Sequence, residues 1–190
     1  LGDYNGDEFA DIFRLSTTAT ESRLDILSGV DGTTPLTPAV VLDMTGATLV
    51  EVASGDVTGD GLDDLVELRR RNTDGLLTVV VREAPGMAER NWLSLGANQT
   101  AQQLRLSDVN DDGRADVHVQ GGSTFEVLEG ATLARLIFTG FLDGAFGYGD
   151  VTGDGRPDAI FSDFTSAAWS PENGGFWSGG YEFWIWTSPG

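Results

Sequence analysis

The stretch Gly55-Asp56-Val57-Thr58-Gly59-Asp60-Gly61-Leu62-Asp63-Asp64-Leu65-Val66 decides how this chain is read. Side-chain oxygens fall at alternate positions, Asp56, Thr58 and Asp60, and again at the ninth position, Asp64. A tight loop can aim such alternate side chains inward, while its seventh residue, Leu62, offers a backbone carbonyl. A hard cation such as Ca²⁺ takes about six to eight oxygen ligands, which is what this pattern supplies. Gly59 and Gly61 allow the left-handed backbone that so sharp a winding needs.

The pattern recurs as GDYNGDEFADIF from Gly2, SDVNDDGRADVH from Ser107 and GDVTGDGRPDAI from Gly149. The leading residues Asp3, Asp56, Asp108 and Asp150 are spaced by 53, 52 and 42 residues. The first loop offers Asp3, Asn5, Asp7, Asp11 and the carbonyl of Phe9. The third offers Asp108, Asn110, Asp112, Asp116 and the carbonyl of Arg114, and the fourth Asp150, Thr152, Asp154, Asp158 and the carbonyl of Arg156. Three carboxylates about 5 Å apart repel by about 3 kcal/mol per pair at an effective dielectric of about 20. A solvated turn needs no such arrangement, so the expectation is one Ca²⁺ per loop, up to four. An EF-hand is excluded, because it needs a Glu at position twelve and flanking helices. That position holds Arg14, Glu67, Val119 and Phe161. In the first loop Glu8 stands where the others have Gly61, Gly113 and Gly155. A non-glycine residue held left-handed there costs about 1–2 kcal/mol, so this loop is expected to bind most weakly.

Between the loops the chain reads as β. Short apolar runs with partial alternation follow each loop, as in Leu65-Val66-Glu67-Leu68 and Val117-His118-Val119. Three loops are also preceded by such runs, at Leu49 to Ala53, Gln103 to Leu106 and Ala145 to Tyr148. Further strands are expected at Arg23 to Leu27, Val40 to Met44, Leu76 to Arg82, Trp92 to Leu95, Thr124 to Leu128, Leu133 to Phe138 and Tyr181 to Trp186. Four antiparallel strands per unit is the pattern of a β-propeller blade. The fold expected is all-β, with about four blades over 1–47, 48–99, 100–141 and 142–190, two complete and two partial.

The loop pattern resembles the FG-GAP repeats of integrin α-subunit propellers and the related bacterial VCBS-type repeats. Phe146-Gly147 before the fourth loop matches the "FG" of that name, and the DxxxDGxxD core recurs along the whole chain. The resemblance implies a calcium-binding propeller, with the ion in the hairpin between the first two strands of each blade. Family propellers usually have seven blades. A small four-bladed ring, part of a larger ring, and assembly with further blades of another chain all stay open.

Composition narrows the function. A net charge of −19 argues against nucleic acid and against an anionic membrane surface. Cysteine is absent, which excludes disulfides, thiol catalysis and Cys-ligated zinc. No apolar run approaches the ~20 residues of a membrane span, and no signal peptide is seen. The opening Leu-Gly-Asp lies inside a repeat and reads as a processing point or a cut. The one histidine, His118, reads as an exposed strand residue rather than a catalytic base. Glu51, Glu67, Glu83, Glu126 and Glu129 are scattered without visible partners, so no acid–base pair emerges. The expectation is not an enzyme but an extracellular recognition or adhesion module for a glycan or a protein. A structural or assembly module, or an accessory domain of a larger secreted protein or enzyme, is the alternative. Ligand contact is expected at Trp169, Phe176 and Trp177, in the long connection between Phe164 and Gly180.

Overall fold

The computed structural model describes residues 2–18, 21–96, 101–121, 124–140, 146–149, 151–153, 158–164, 169–170, 175–176 and 181–186, and from 158 on only the backbone course is considered. Among the described residues every regular element is a β-strand, and every ladder is antiparallel.

The first sheet contains β1 (Ile12–Thr17), β2 (Glu21–Leu27) and β3 (Val40–Asp43), in that order. The second contains β4 (Ala47–Gly55), β5 (Asp64–Arg71), β6 (Leu77–Glu83) and β7 (Ala88–Gly96). The third contains β8 (Ala101–Ser107), β9 (Asp116–Gly121), β10 (Thr124–Leu128) and β11 (Arg135–Gly140). In the last region β12 (Phe146–Gly149), β13 (Asp158–Phe164) and β16 (Tyr181–Trp186) form a three-stranded sheet. The long connection inside it folds as a separate ribbon of β14 (Trp169–Ser170) and β15 (Gly175–Phe176). Two four-stranded sheets are therefore flanked by two three-stranded ones, each an uninterrupted meander apart from that insertion. The first Asp loop has no full strand before it, only the isolated bridge between Gly2 and Asp11.

The first three sheets stack face to face, which explains strands that are apolar on both sides. Leu24, Ile26 and Leu42 of the first sheet pack with Leu65 of the second and with Ala84 and Met87 in its β6–β7 turn. From the other face of the second sheet, Val66, Leu68, Val79 and Val81 pack with Leu104, Val117 and Leu128 of the third. The neighbours Leu65 and Val66 thus serve two different cores, as the period of two in a strand requires. Each such side chain contributes about 1.5–3 kcal/mol when fully buried. Glu51 of β4 links to the third sheet by accepting the Leu104 N–H at 2.5 Å and meeting Arg105 at 3.4 Å.

Strand ends differ most from the sequence reading in β7. Apolar patterning marks only Trp92 to Leu95, whereas the strand runs from Ala88 to Gly96. Its polar half is held by the ladder to β6, including the pairs Arg82–Glu89 and Glu83–Ala88. Backbone pairing, unlike burial, leaves no trace in side-chain hydrophobicity.

Candidate functional site

The three described loops share one hydrogen-bond plan, with an exposed outer part and a buried inner part. In the outer part the first Asp folds the loop around its own carboxylate. Asp56 Oδ1 accepts the N–H groups of Gly59 at 2.6 Å and Asp60 at 3.2 Å, and Oδ2 accepts that of Gly61 at 2.8 Å. Asp3 does the same for Gly6, Asp7 and Glu8, at 2.7, 3.1 and 2.9 Å. Asp108 takes the N–H groups of Asp112 and Gly113 at 3.2 and 2.8 Å. The third and fifth positions meet directly where they are Asn and Asp: Asn5 donates to Asp7 at 3.0 Å and Asn110 to Asp112 at 3.2 Å.

The inner part is the ninth residue. Asp11, Asp64 and Asp116 are each 0% exposed. Asp64 Oδ2 accepts the N–H groups of Val57 and Thr58, both at 3.1 Å, and Oδ1 reaches across to the Ala84 N–H at 2.9 Å. Asp11 bridges Tyr4 and Gly29 at 3.0 and 2.9 Å, and Asp116 bridges Val109 and Gly130 at 3.1 and 3.3 Å. Each ninth Asp therefore ties its loop to the turn two strands further on. Burial pushes the carboxyl of Asp64 up and that of Asp116 up to about 6, against the lowering effect of these backbone bonds. The turn must come very close: a Cβ on Gly29 would lie 2.2 Å from the Ala10 carbonyl oxygen, and one on Gly130 2.1 Å from that of Ala115.

Successive loops also join edge to edge. The eighth residue of one donates to the carbonyl of the first residue of the loop before it, Asp63 to Asp3 and Ala115 to Asp56, both at 2.7 Å. Between loops one and two a second bond returns, from the Asp3 N–H to Asp63 Oδ2 at 2.8 Å. The spacing of the motif does not reveal this contact, since the eighth position has no fixed residue type.

The left-handed backbone expected at Glu8 is present, with φ of 68°. Gly61 and Gly113 adopt 85° and 83° at the same position. At the fourth position, where the sequence marks Gly59 as left-handed, one departure from glycine escaped the sequence reading. The fourth position is left-handed as well, at Gly6, Gly59, Gly153 and also Asp111, where φ is 60°. The signal was present, since Asp111 alone interrupts a column of glycines.

For loop four, Asp150, Asp154 and Arg156 lie outside the described residues, as does Trp177. Thr152 is described, and Asp158 is placed by its backbone at the start of β13. Trp169 and Phe176 stand directly opposite each other in the β14–β15 ribbon. Among the described residues no three carboxylate or imidazole groups are gathered into a ready-made metal cage. The donor chemistry of the loops still suits a hard cation. All the side-chain donors are oxygens, and Thr58 Oγ1 is buried beside Asp64 without a hydrogen bond of ordinary geometry. The loop carbonyls of Phe9, Leu62 and Arg114 belong to exposed or half-buried residues, so the loop is open on that side.

Two sequence expectations need correction. His118 is not exposed but 0% exposed, because β9 lies between two packed faces. Burial lowers its pKa to about 4, and its Nε2 lies 3.2 Å from the Ser107 carbonyl oxygen and 3.1 Å from Ser107 Oγ. An Nε2–H that donates to the carbonyl has no lone pair to take the serine proton, so the pair is structural. The glutamates are not partnerless either. Glu67 pairs with Arg69 at 2.6 Å and Arg82 at 2.5 Å, Glu126 with Arg135 at 2.7 Å and Glu83 with Arg90 at 3.2 Å, while Glu129 accepts from Thr132. Apart from Arg69, two residues along the same strand, their partners lie on neighbouring strands or across turns.

No protein-family model matches the chain, and no curated protein matches it. Among solved structures it is similar to the rhamnogalacturonan lyase PL11 of Bacillus licheniformis, with 13% identity and a TM-score of 0.49. That alignment covers 75% of this chain and 38% of the lyase chain.

Proposed function

We propose that the chain is a calcium-binding, propeller-type repeat module of the FG-GAP or VCBS kind, working outside the cell in recognition or adhesion rather than in catalysis. The observation that carries this reading is the shared plan of the loops. Each described loop gathers oxygens at its first, third and fifth positions, half-buried at the first and exposed at the fifth, while the buried ninth Asp secures the loop. Hydrogen bonds alone leave the outer carboxylates repelling one another, and a divalent cation among them would relieve that repulsion. The meander sheets, the first three stacked face to face, are then blades. Extracellular modules bind Ca²⁺ with Kd of about 10⁻⁴–10⁻³ M, so at ~1 mM each site adds about 1.4 kcal/mol at the tighter figure. Four sites would add about 6 kcal/mol, comparable with the stability of a whole domain.

Calorimetric melts with and without chelator test the proposal. Calcium is expected to raise Tm by many degrees and magnesium hardly at all. An unchanged Tm, with no heat of calcium binding, overturns it.

A reading as an assembly module has one observation in its favour. The second residue of the loop is buried at Tyr4, Val57 and Val109, the first two packing with residues of the following sheet, yet Val151 is 51% exposed. A further blade or another chain seated on the fourth sheet would cover it.

A further inference from the structure

The end of the second sheet remote from its Asp loop carries a groove. It has a volume of about 250 Å³ and lies beside the link between β3 and β4. Val80 forms part of its floor and Thr78, Arg69, Arg71, Glu89 and Trp92 surround it. Trp92 is 66% exposed on β7, the edge strand, and stands directly opposite Val80.

The walls are fixed from beneath. Glu67, 0% exposed, takes Arg69 Nε at 2.7 Å and Arg82 Nε at 2.5 Å, and Arg82 reaches Glu89 at 3.3 Å. Arg69 Nη2 is buried 2.6 Å from Glu67 without a hydrogen bond of ordinary geometry. The third sheet carries its buried glutamate on another strand, Glu126 of β10, paired with Arg135 at 2.7 Å. Three residues after the ninth Asp, where β5 has Glu67, β9 has the apolar Val119. Buried ion pairs are often no better for stability than apolar packing, so a network kept under a groove points to a task for the groove.

We propose that this groove binds a neutral sugar ring of an oligosaccharide or polysaccharide. The exposed indole face of Trp92 is the platform for the C–H face of a pyranose. Planar Arg and Glu side chains with a Thr hydroxyl are the groups that hold paired hydroxyls. The ligand is neutral because the groove has no cation to spare. Arg69 and Arg82 are matched by Glu67 and Glu89, Arg71 by Asp74, and the whole chain carries −19. Its volume falls below the ~300–1,000 Å³ of drug-sized pockets, which suits one ring rather than an enclosed chain.

This inference names the ligand class within the recognition role proposed above but uses no residue of the Asp loops. Affinity electrophoresis of the full chain through gels holding a soluble β-glucan, a galactan, a mannan or polygalacturonate tests it. At least one neutral polymer is expected to retard the protein. Trp92→Ala should weaken that retardation about 10-fold or more, the usual cost of losing an aromatic anchor. Arg71→Ala should weaken it a few-fold. The Trp92→Ala protein should keep its calcium-dependent Tm, so a failure of either reading shows separately. Retardation by polygalacturonate alone, no retardation by any polymer, loss on Trp169→Ala but not on Trp92→Ala, or a Trp92-dependent self-association without glycan binding would each overturn the proposal.

Discussion

Within a single loop, Asp64 and Asp60 are four residues apart and chemically identical, yet they live in different worlds. Asp64 is 0% exposed and holds three backbone N–H groups, one of them beyond β6. Asp60 is exposed and accepts only from Leu62, two residues on, at 2.9 Å. The difference teaches that the repeated Asp pattern has two jobs. The ninth residue builds the loop whether or not an ion is present. The first folds the loop around its own carboxylate, and the third and fifth present oxygens that have less to do in the fold itself.

The strongest way to break this comparison is to remove each carboxylate in turn. Asp64→Ala leaves the buried N–H groups of Val57 and Ala84 without an acceptor, at about 1–3 kcal/mol each, so a loss of about 3 kcal/mol is expected. Denaturant unfolding should show it in chelator, and a larger loss in calcium, where the ion of that loop is lost as well. Asp60→Ala should lose about 1.4 kcal/mol in ~1 mM calcium, the contribution of one site, and little in chelator. Equal losses for the two variants in chelator would erase the distinction.

A smaller effect should appear with pH. The pKa of Asp116 is raised by burial to about 6, so its stabilising protonated form is fully present below about 4 and is lost as pH rises through about 6. His118 acts the other way. Its lowered pKa gives stability that is present above about 6.5 and lost as pH falls through about 4. In a His118→Gln background without calcium, stability should therefore rise by about 1 kcal/mol from pH 7 to pH 5. A flat or falling profile would count against the buried role of Asp116.

The smallest expected change is at Glu8. Glu8→Gly relieves a left-handed residue but gains unfolded-state entropy, for a net of about 0.5 kcal/mol. Asp111→Gly should give less, because Asp tolerates that conformation better than Glu. Calcium titration of Glu8→Gly should also show tighter binding at loop one; unchanged or weaker binding there would remove Glu8 as the cause of any weakness.

Much of this architecture was legible in the linear chain. Four copies of one Asp spacing marked the loops, and the apolar runs beside them marked strands that do form, Thr124–Leu128 and Tyr181–Trp186 to the residue. Glu8 could be read as strained because its counterparts are Gly. Less visible were the extra length of β7, which rests on ladder bonds, and the burial of His118, which rests on which face of β9 meets another sheet. The aromatic residue bordering the groove was also hidden. Trp92 looks like any apolar strand residue until its place on the edge strand β7 leaves it open.

By itself the sequence determined the repeat, the hairpin loops and the oxygen-only donor set, because those depend on residue type and local backbone freedom. Only the tertiary structure decided which Asp is buried, which glutamate meets which arginine, and where a tryptophan stays exposed. Those outcomes depend on how sheets stack and on bonds that span from 15 residues, for Glu67 and Arg82, to 60, for Asp3 and Asp63. Packing distributes identical side chains between core and solvent, and no property of an aspartate alone records which it will receive.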